Sequence, residues 1–299
     1  MRSTILTVSI LFAFLVSSGC TPRNNQSSIS TPLAQIETIQ VEPTPTVTME
    51  PMAALVNGEG IFLTDFQAEL ARYNQALPDQ AVAEGQSTPD LIVLNEMIAL
   101  VLLEQGAEEK GFTVTEEAVQ QKLDDLTNQM GGPEQLNTWL ANNGYSNDGI
   151  KKSLRLGIAS AWMRDEIARS VQTTADQVHI HQILLMAEGN AQSLLQQIQA
   201  GADFATLAEQ YDPITRGDLG WFPRGYLVQP KVEEAAFTLQ PGGVSDVIHT
   251  DAGYHIIQVI ERDANHPLTP DAYATLQHAA LQQWIQDRLQ ASQVETYIQ

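Results

Sequence analysis

Few residues in this 299-residue chain are equipped for covalent or acid–base chemistry: there is one cysteine, Cys20, and there are six histidines. His179 and His181 stand in a stretch from Val178 to Met186, rich in Val, Ile and Leu, that reads as a strand. Residues two apart on a strand share a face, so the two imidazoles have the placement of a metal pair. No acid or cysteine stands beside them at a convincing spacing, and no metal or other cofactor is expected. Gln182 falls on the opposite face and can both donate and accept a hydrogen bond. His255 lies in a second strand pattern, Tyr254 to Glu261, where a single histidine reads first as a hydrogen-bonded core group. Asp212 precedes Pro213, which is also plain turn chemistry. A single cysteine forms no intrachain disulfide and no cysteine-rich zinc site.

The bulk composition narrows the classes further. Lys and Arg total 15 against 36 Asp and Glu, a formal net charge of -21. Such a balance argues against a nucleic-acid partner, whose phosphates need a basic face. With 43% hydrophobic and 17% charged residues the chain is not compositionally disordered, and its length suggests about two domains.

The N-terminus reads as a targeting segment. Arg2 gives a positive start, and an apolar run from Ile5 to Val16 follows, too short to span a bilayer comfortably. Ser17-Ser18-Gly19 before Cys20 resembles a lipoprotein signal peptide, with residues 1–19 removed and lipid placed on the Cys20 thiol. Ser17 departs from the larger aliphatic residue usual there. An ordinary secretory signal and an uncleaved anchor are the alternatives, and all three export the protein. Residues 20–52, rich in Thr, Pro, Ser, Gln and Asn, read as a flexible tether.

Residues 53–175 read as a helical region. A short strand and turn end near Ile61. Thr64 with Gln67 fits a capping box ahead of Phe66, Leu70, Tyr73 and Leu77. Thr88 and Pro89 open a helix carrying Leu91, Leu94, Ile98 and Leu102 on one side. Thr115, Pro133 and Ser146 open three more, the last running to about Val171. Residues 176–266 change period: a strand, two helical stretches, a turn, a short acidic helix and a final strand. That order fits an α+β domain with helices packed on a small antiparallel sheet. In residues 267–299, Asp271 is expected to cap a long amphipathic helix with Tyr273, Leu276, Ala280 and Trp284 on one face.

Four segments in order resemble the parvulin family of peptidyl-prolyl isomerases: Ala200–Ala208 (AGADFATLA), Gly217–Phe222 (GDLGWF), Glu233–Phe237 (EEAAF) and Asp251–Ile257 (DAGYHII). Val56–Glu59, Leu94–Ile98 and Glu109–Thr115 resemble the N-terminal domain of bacterial extracytoplasmic folding chaperones, which cradles unfolded clients. The resemblance implies a helical chaperone-like domain plus a parvulin domain, with the C-terminal segment packed back on the N-terminal one.

It also implies site residues. His255 stands at the family's histidine of the last strand, and Gln182 where its other histidine precedes Ile-Leu. Asp212 falls near its Cys-or-Asp position. Leu227 and Val232 match the Met and Phe of the proline pocket, to which Trp221, Phe222 and Phe237 contribute. The implied function is an extracytoplasmic foldase that isomerises X-Pro bonds and holds unfolded exported chains. Gln182 and the short loop from Asp212 to Arg216 favour an alternative, a holdase with an inactive parvulin domain. A surface-binding lipoprotein that reuses the fold is a third.

Overall fold

A computed structural model describes residues 50–77 and 87–298 of the chain. The expected signal segment, Cys20 and most of the tether lie outside the described residues. Strands β1 (Met52–Val56) and β2 (Glu59–Phe62) form a hairpin. Its two-residue loop is Asn57-Gly58 with φ of 53° and 90°, the positive pair that an Asn-Gly turn supplies. The C-terminal strand β7 (Val294–Thr296), not foreseen from the sequence, pairs antiparallel with β1 to give the order β2-β1-β7. Asn57 holds that junction: its Oδ1 accepts from Gln293 N–H at 2.9 Å, and its Nδ2 donates to Gln105 and Ser292.

Helices α1 (Leu63–Ala76), α2 (Pro89–Glu109), α3 (Glu116–Gln129), α4 (Pro133–Asn142) and α5 (Asn147–Ser170) follow. Thr115 and Ser146 cap α3 and α5, accepting from the N–H groups of Ala118 and Gly149. The expected Thr64 cap is not there. β2 runs straight into α1, Phe62 takes the N-cap place with no side-chain bond, and the Leu63 N–H donates to Pro51 O at 2.8 Å instead. Leu91 is also displaced from the buried stripe of α2; it is 47% exposed while Leu94, Ile98 and Leu102 are buried.

The next segment starts with β3 (Thr174–Leu185), then α6 (Glu188–Gln199), α7 (Phe204–Tyr211), β4 (Asp218–Pro223), α8 (Pro230–Thr238), β5 (Ile248–Thr250) and β6 (Gly253–Pro267). The four strands pair antiparallel in the order β4-β3-β6-β5. β3 and β6 are longer than their apolar patterns, because the pair continues through irregularities at Ala175/Gln177 and His179/Ile180. Side chains alternate, so the sheet has an apolar core on each face. Ile183, Leu185 and Ile256 pack with Ala191, Leu194, Phe204 and Leu207 of α6 and α7. Val178, Ile180, Ile257 and Val259 pack with Val232, Ala236 and Phe237 of α8.

Helix α9 (Pro270–Ala291) leaves from β6. Its cap is Thr269, whose side chain accepts from Ala272 N–H, and the expected capping residue Asp271 sits in the first turn. α9 lies against α2 and α5: Ala280, Leu281 and Trp284 pack on Leu103, Ala107, Ala159, Met163 and Ile167. Gly106 on α2 makes room for this, since a Cβ there would stand 2.7 Å from the Trp284 ring.

Candidate active site

The register of β3 and β6 sets Gln182 opposite Ile257 and Leu184 opposite His255. Opposed residues share a face and His255 lies two before Ile257, so Gln182 and His255 are diagonal neighbours on one face. Their side chains meet: His255 Nδ1 lies 2.9 Å from Gln182 Oε1. An amide oxygen only accepts, so Nδ1 carries the proton and Nε2 is the acceptor. Nε2 stands 2.7 Å from Thr250 Oγ1 on β5, which in turn accepts from the Ala252 N–H at 3.1 Å. The chain of donors runs one way, from Ala252 N–H through Thr250 and His255 to Gln182. His255 is 2% exposed, and burial holds its imidazole below the usual histidine range, so it is neutral at pH 7.

On the same face, Ile257 and Val259 continue the His255 row at period two, above the α8 core. Leu227, Val232, Phe222 and Phe237 all belong to this cluster. Phe222 and Val232 are 0% and 1% exposed and form its floor, and Leu227 is half-buried at its edge. The Phe222 and Phe237 rings meet edge to face with centroids 6.1 Å apart. Glu233 fixes the loop that presents Leu227, because its carboxylate accepts the N–H groups of Gly225, Tyr226 and Leu227 at 2.8–3.0 Å. Val228, beside Leu227, is 91% exposed.

Two of the expected site residues are not brought here. Trp221 alternates with Phe222 along β4 and faces away; it stacks on His266 at 4.1 Å and lies 5.7 Å from His179. Asp212 closes its own turn. Its carboxylate accepts from the N–H groups of Ile214 and Thr215 and from the Thr215 hydroxyl. Those bonds, the Thr215 hydroxyl first, hold its carboxyl below the usual range. Among the described residues it makes no bond to Gln182 or His255. The turn still serves the site, because Gly217 (φ 73°) brings its carbonyl to 2.7 Å from the Gln182 N–H. A Cβ at Gly217 would lie 2.2 Å from Gln182 O, so only glycine fits.

Sequence reasoning missed Thr250 and Glu233 as partners. Thr250 directly precedes the Asp251-Ala252-Gly253 turn, and that position in a tight hairpin to His255 was the available signal. No acid stands near His179 and His181 in sequence, but strand pairing places Asp218 opposite His181.

The chain has known relatives. Residues 166–263 match the family described as the PPIC-type PPIASE domain, and residues 3–164 match the SurA-like N-terminal domain. The chain is similar to the foldase protein PrsA of Caldanaerobacter subterraneus subsp. tengcongensis, with 29% identity over 230 residues, covering 69% of this chain and 72% of that protein. It is 31% identical over 193 residues to the foldase protein PrsA of a Geobacillus species, covering 58% and 68%. A crystal structure of the peptidylprolyl isomerase PrsA from Bacillus cereus aligns over 80% of this chain and 86% of that one, at 25% identity and a TM-score of 0.45.

Proposed function

We propose how this protein works from one premise: the chain belongs to the PrsA foldase family, joining a SurA-like N-terminal domain to a PPIC-type peptidyl-prolyl isomerase domain. It is a parvulin-type folding factor that acts outside the cytoplasm on unfolded client proteins.

The task is rotation about an X-Pro bond, whose resonance barrier is about 18–20 kcal/mol. The two isomers lie within about 1 kcal/mol of each other, and unaided exchange takes tens of seconds and can limit folding. No nucleophile is required. A site that binds the twisted amide better than either planar isomer lowers the barrier by differential binding. In our reading Leu227 grips the proline ring over the floor of Phe222, Val232 and Phe237. Gln182 and His255 are positioning residues that hold the strand face beneath it, and Asp212 acts through its turn. The observation that carries this reading is the closed relay Ala252–Thr250–His255–Gln182 beside the Leu227 cluster. A protease-coupled assay of X-Pro exchange with Leu227→Ala tests it: the expected result is a rate loss of about tenfold or more in a protein still folded at the assay temperature.

Residues 53–175 with the C-terminal helix form the client-holding unit, residues 176–266 the isomerase, and residues 20–52 a tether to lipid on Cys20. Among the described residues no helix is long and apolar enough to cross a membrane. A Cys20→Ser protein should leave the membrane fraction; one that stays bound like wild type contradicts the lipid anchor. Two features support the holdase alternative, Gln182 where the family has a histidine and the short loop from Asp212 to Arg216, and an assay that finds aggregation suppression without isomerisation would select it.

A further inference from the structure

One cluster of ligating side chains lies outside the isomerase face. His179 and His181 of β3 and Asp218 of β4 each offer one ligand atom, and the three atoms lie within 4.8 Å of one another. Strand register assembles them. His181 is opposite Asp218 and His179 opposite Trp221, with an irregularity between that draws Asp218 toward both rings. His181 pairs with Gln258 on β6, one residue out of phase with the Gln182–Ile257 pair. The cluster therefore occupies the sheet face opposite Gln182 and His255.

Its chemistry is that of an ion site. His179 Nε2 stands 2.7 Å from Asp218 Oδ1, which also accepts the Gly220 N–H at 2.7 Å, leaving Oδ2 free of protein partners among the described residues. The His179 and His181 rings meet edge to face at 5.9 Å. Among the described residues the buried Nδ1 of His181 has no hydrogen-bond partner. A buried ring nitrogen left so pays its desolvation without return, and a coordinated ion or water relieves that cost.

We propose that His179, His181 and Asp218 bind a divalent transition-metal ion of the zinc class, water completing the shell, and that the ion clamps β4 onto β3. Two imidazoles and a carboxylate suit Zn²⁺, Ni²⁺ or Co²⁺, and the hard ions Mg²⁺ and Ca²⁺ prefer all-oxygen shells. Ligand bonds of about 2.0–2.2 Å put neighbouring donors roughly 3.3 Å apart, which is within reach of small side-chain rotations from the observed spread. Asp218 is 44% exposed and His179 20%, so the ion enters from solvent. The clamp sits next to the isomerase face: His181 precedes Gln182, and Asp218 follows Gly217, whose carbonyl holds the Gln182 N–H.

Calorimetry and thermal unfolding of the full chain with ZnCl₂ and CoCl₂ test this. We expect one ion bound per chain, a rise in Tm and the visible absorption of Co²⁺ held by nitrogen and oxygen. His181→Ala and Asp218→Asn should each weaken Zn²⁺ binding by about tenfold or more, and His249→Ala should not. Asn at 218 retains an acceptor for the Gly220 N–H, so this variant keeps the turn. Zn²⁺ binding by Asp218→Asn at wild-type affinity, or an equal rise in Tm with MgCl₂, would overturn the site and leave only general screening of an acidic chain.

Discussion

Gln182 accepts a 2.9 Å hydrogen bond from the protonated Nδ1 of His255, across the β3–β6 pair and inside the sheet. A glutamine here satisfies a buried histidine with no charge on either partner. Replacing Gln182 with Leu leaves that N–H buried without an acceptor, which costs about 1–3 kcal/mol. Thermal unfolding should register the loss as a fall in Tm, and Gln182→His should recover most of it.

The neutrality of His255 makes stability depend on pH in one direction. Burial depresses its folded-state pKa below the unfolded value of about 6.5. Below that pH the unfolded chain takes up the proton more readily than the folded one, so stability falls as pH drops through about 6.5 toward the folded value. Above about 6.5 this contribution is flat. Unfolding curves of wild type and His255→Gln should have a constant Tm difference above neutrality and converge under acid conditions. A difference independent of pH would show that His255 is not held neutral.

Glu233 collects three backbone N–H groups from the Leu227 loop. Glu233→Ala should release the loop, raising KM for X-Pro peptides severalfold with a smaller effect on Tm. Glu233→Gln keeps one acceptor oxygen and should fall between.

Gly106 and Trp284 are a tight fit between α2 and α9. Gly106→Ala forces the indole or the helix to move, an overpacking cost of about 1–3 kcal/mol. The expected signs are a lower Tm and a shifted Trp284 fluorescence, with X-Pro exchange by the folded protein nearly unchanged.

The sequence carried the helices and the parvulin-like segments well because both are local: caps such as Thr115 and Ser146, apolar period, and runs like GDLGWF. What it hid was set by pairing between distant segments. β7 is three residues long and exists because β1 offers it an edge. Thr64 has the pattern of a cap but not the role, since β2 delivers the chain to Leu63 and Pro51 takes its N–H. Gln182 and His255 were legible as motif positions, yet Thr250, the third member, shows only once β5 and β6 are paired. Asp218 likewise joins His179 and His181 through register, at no spacing a sequence pattern could flag. Trp221 and Phe222 were read together, and strand alternation parts them.

The most direct test of the catalytic reading is protease-coupled exchange of short X-Pro peptides by the protein from Thr21 onward, wild type beside Leu227→Ala and Gln182→Leu. Wild type is expected to accelerate cis-to-trans exchange, and both variants are expected to lose most of that acceleration while remaining folded at the assay temperature. Undiminished rates in both variants would contradict the assigned site, and no acceleration by wild type, with suppression of client aggregation intact, would contradict catalysis by this face.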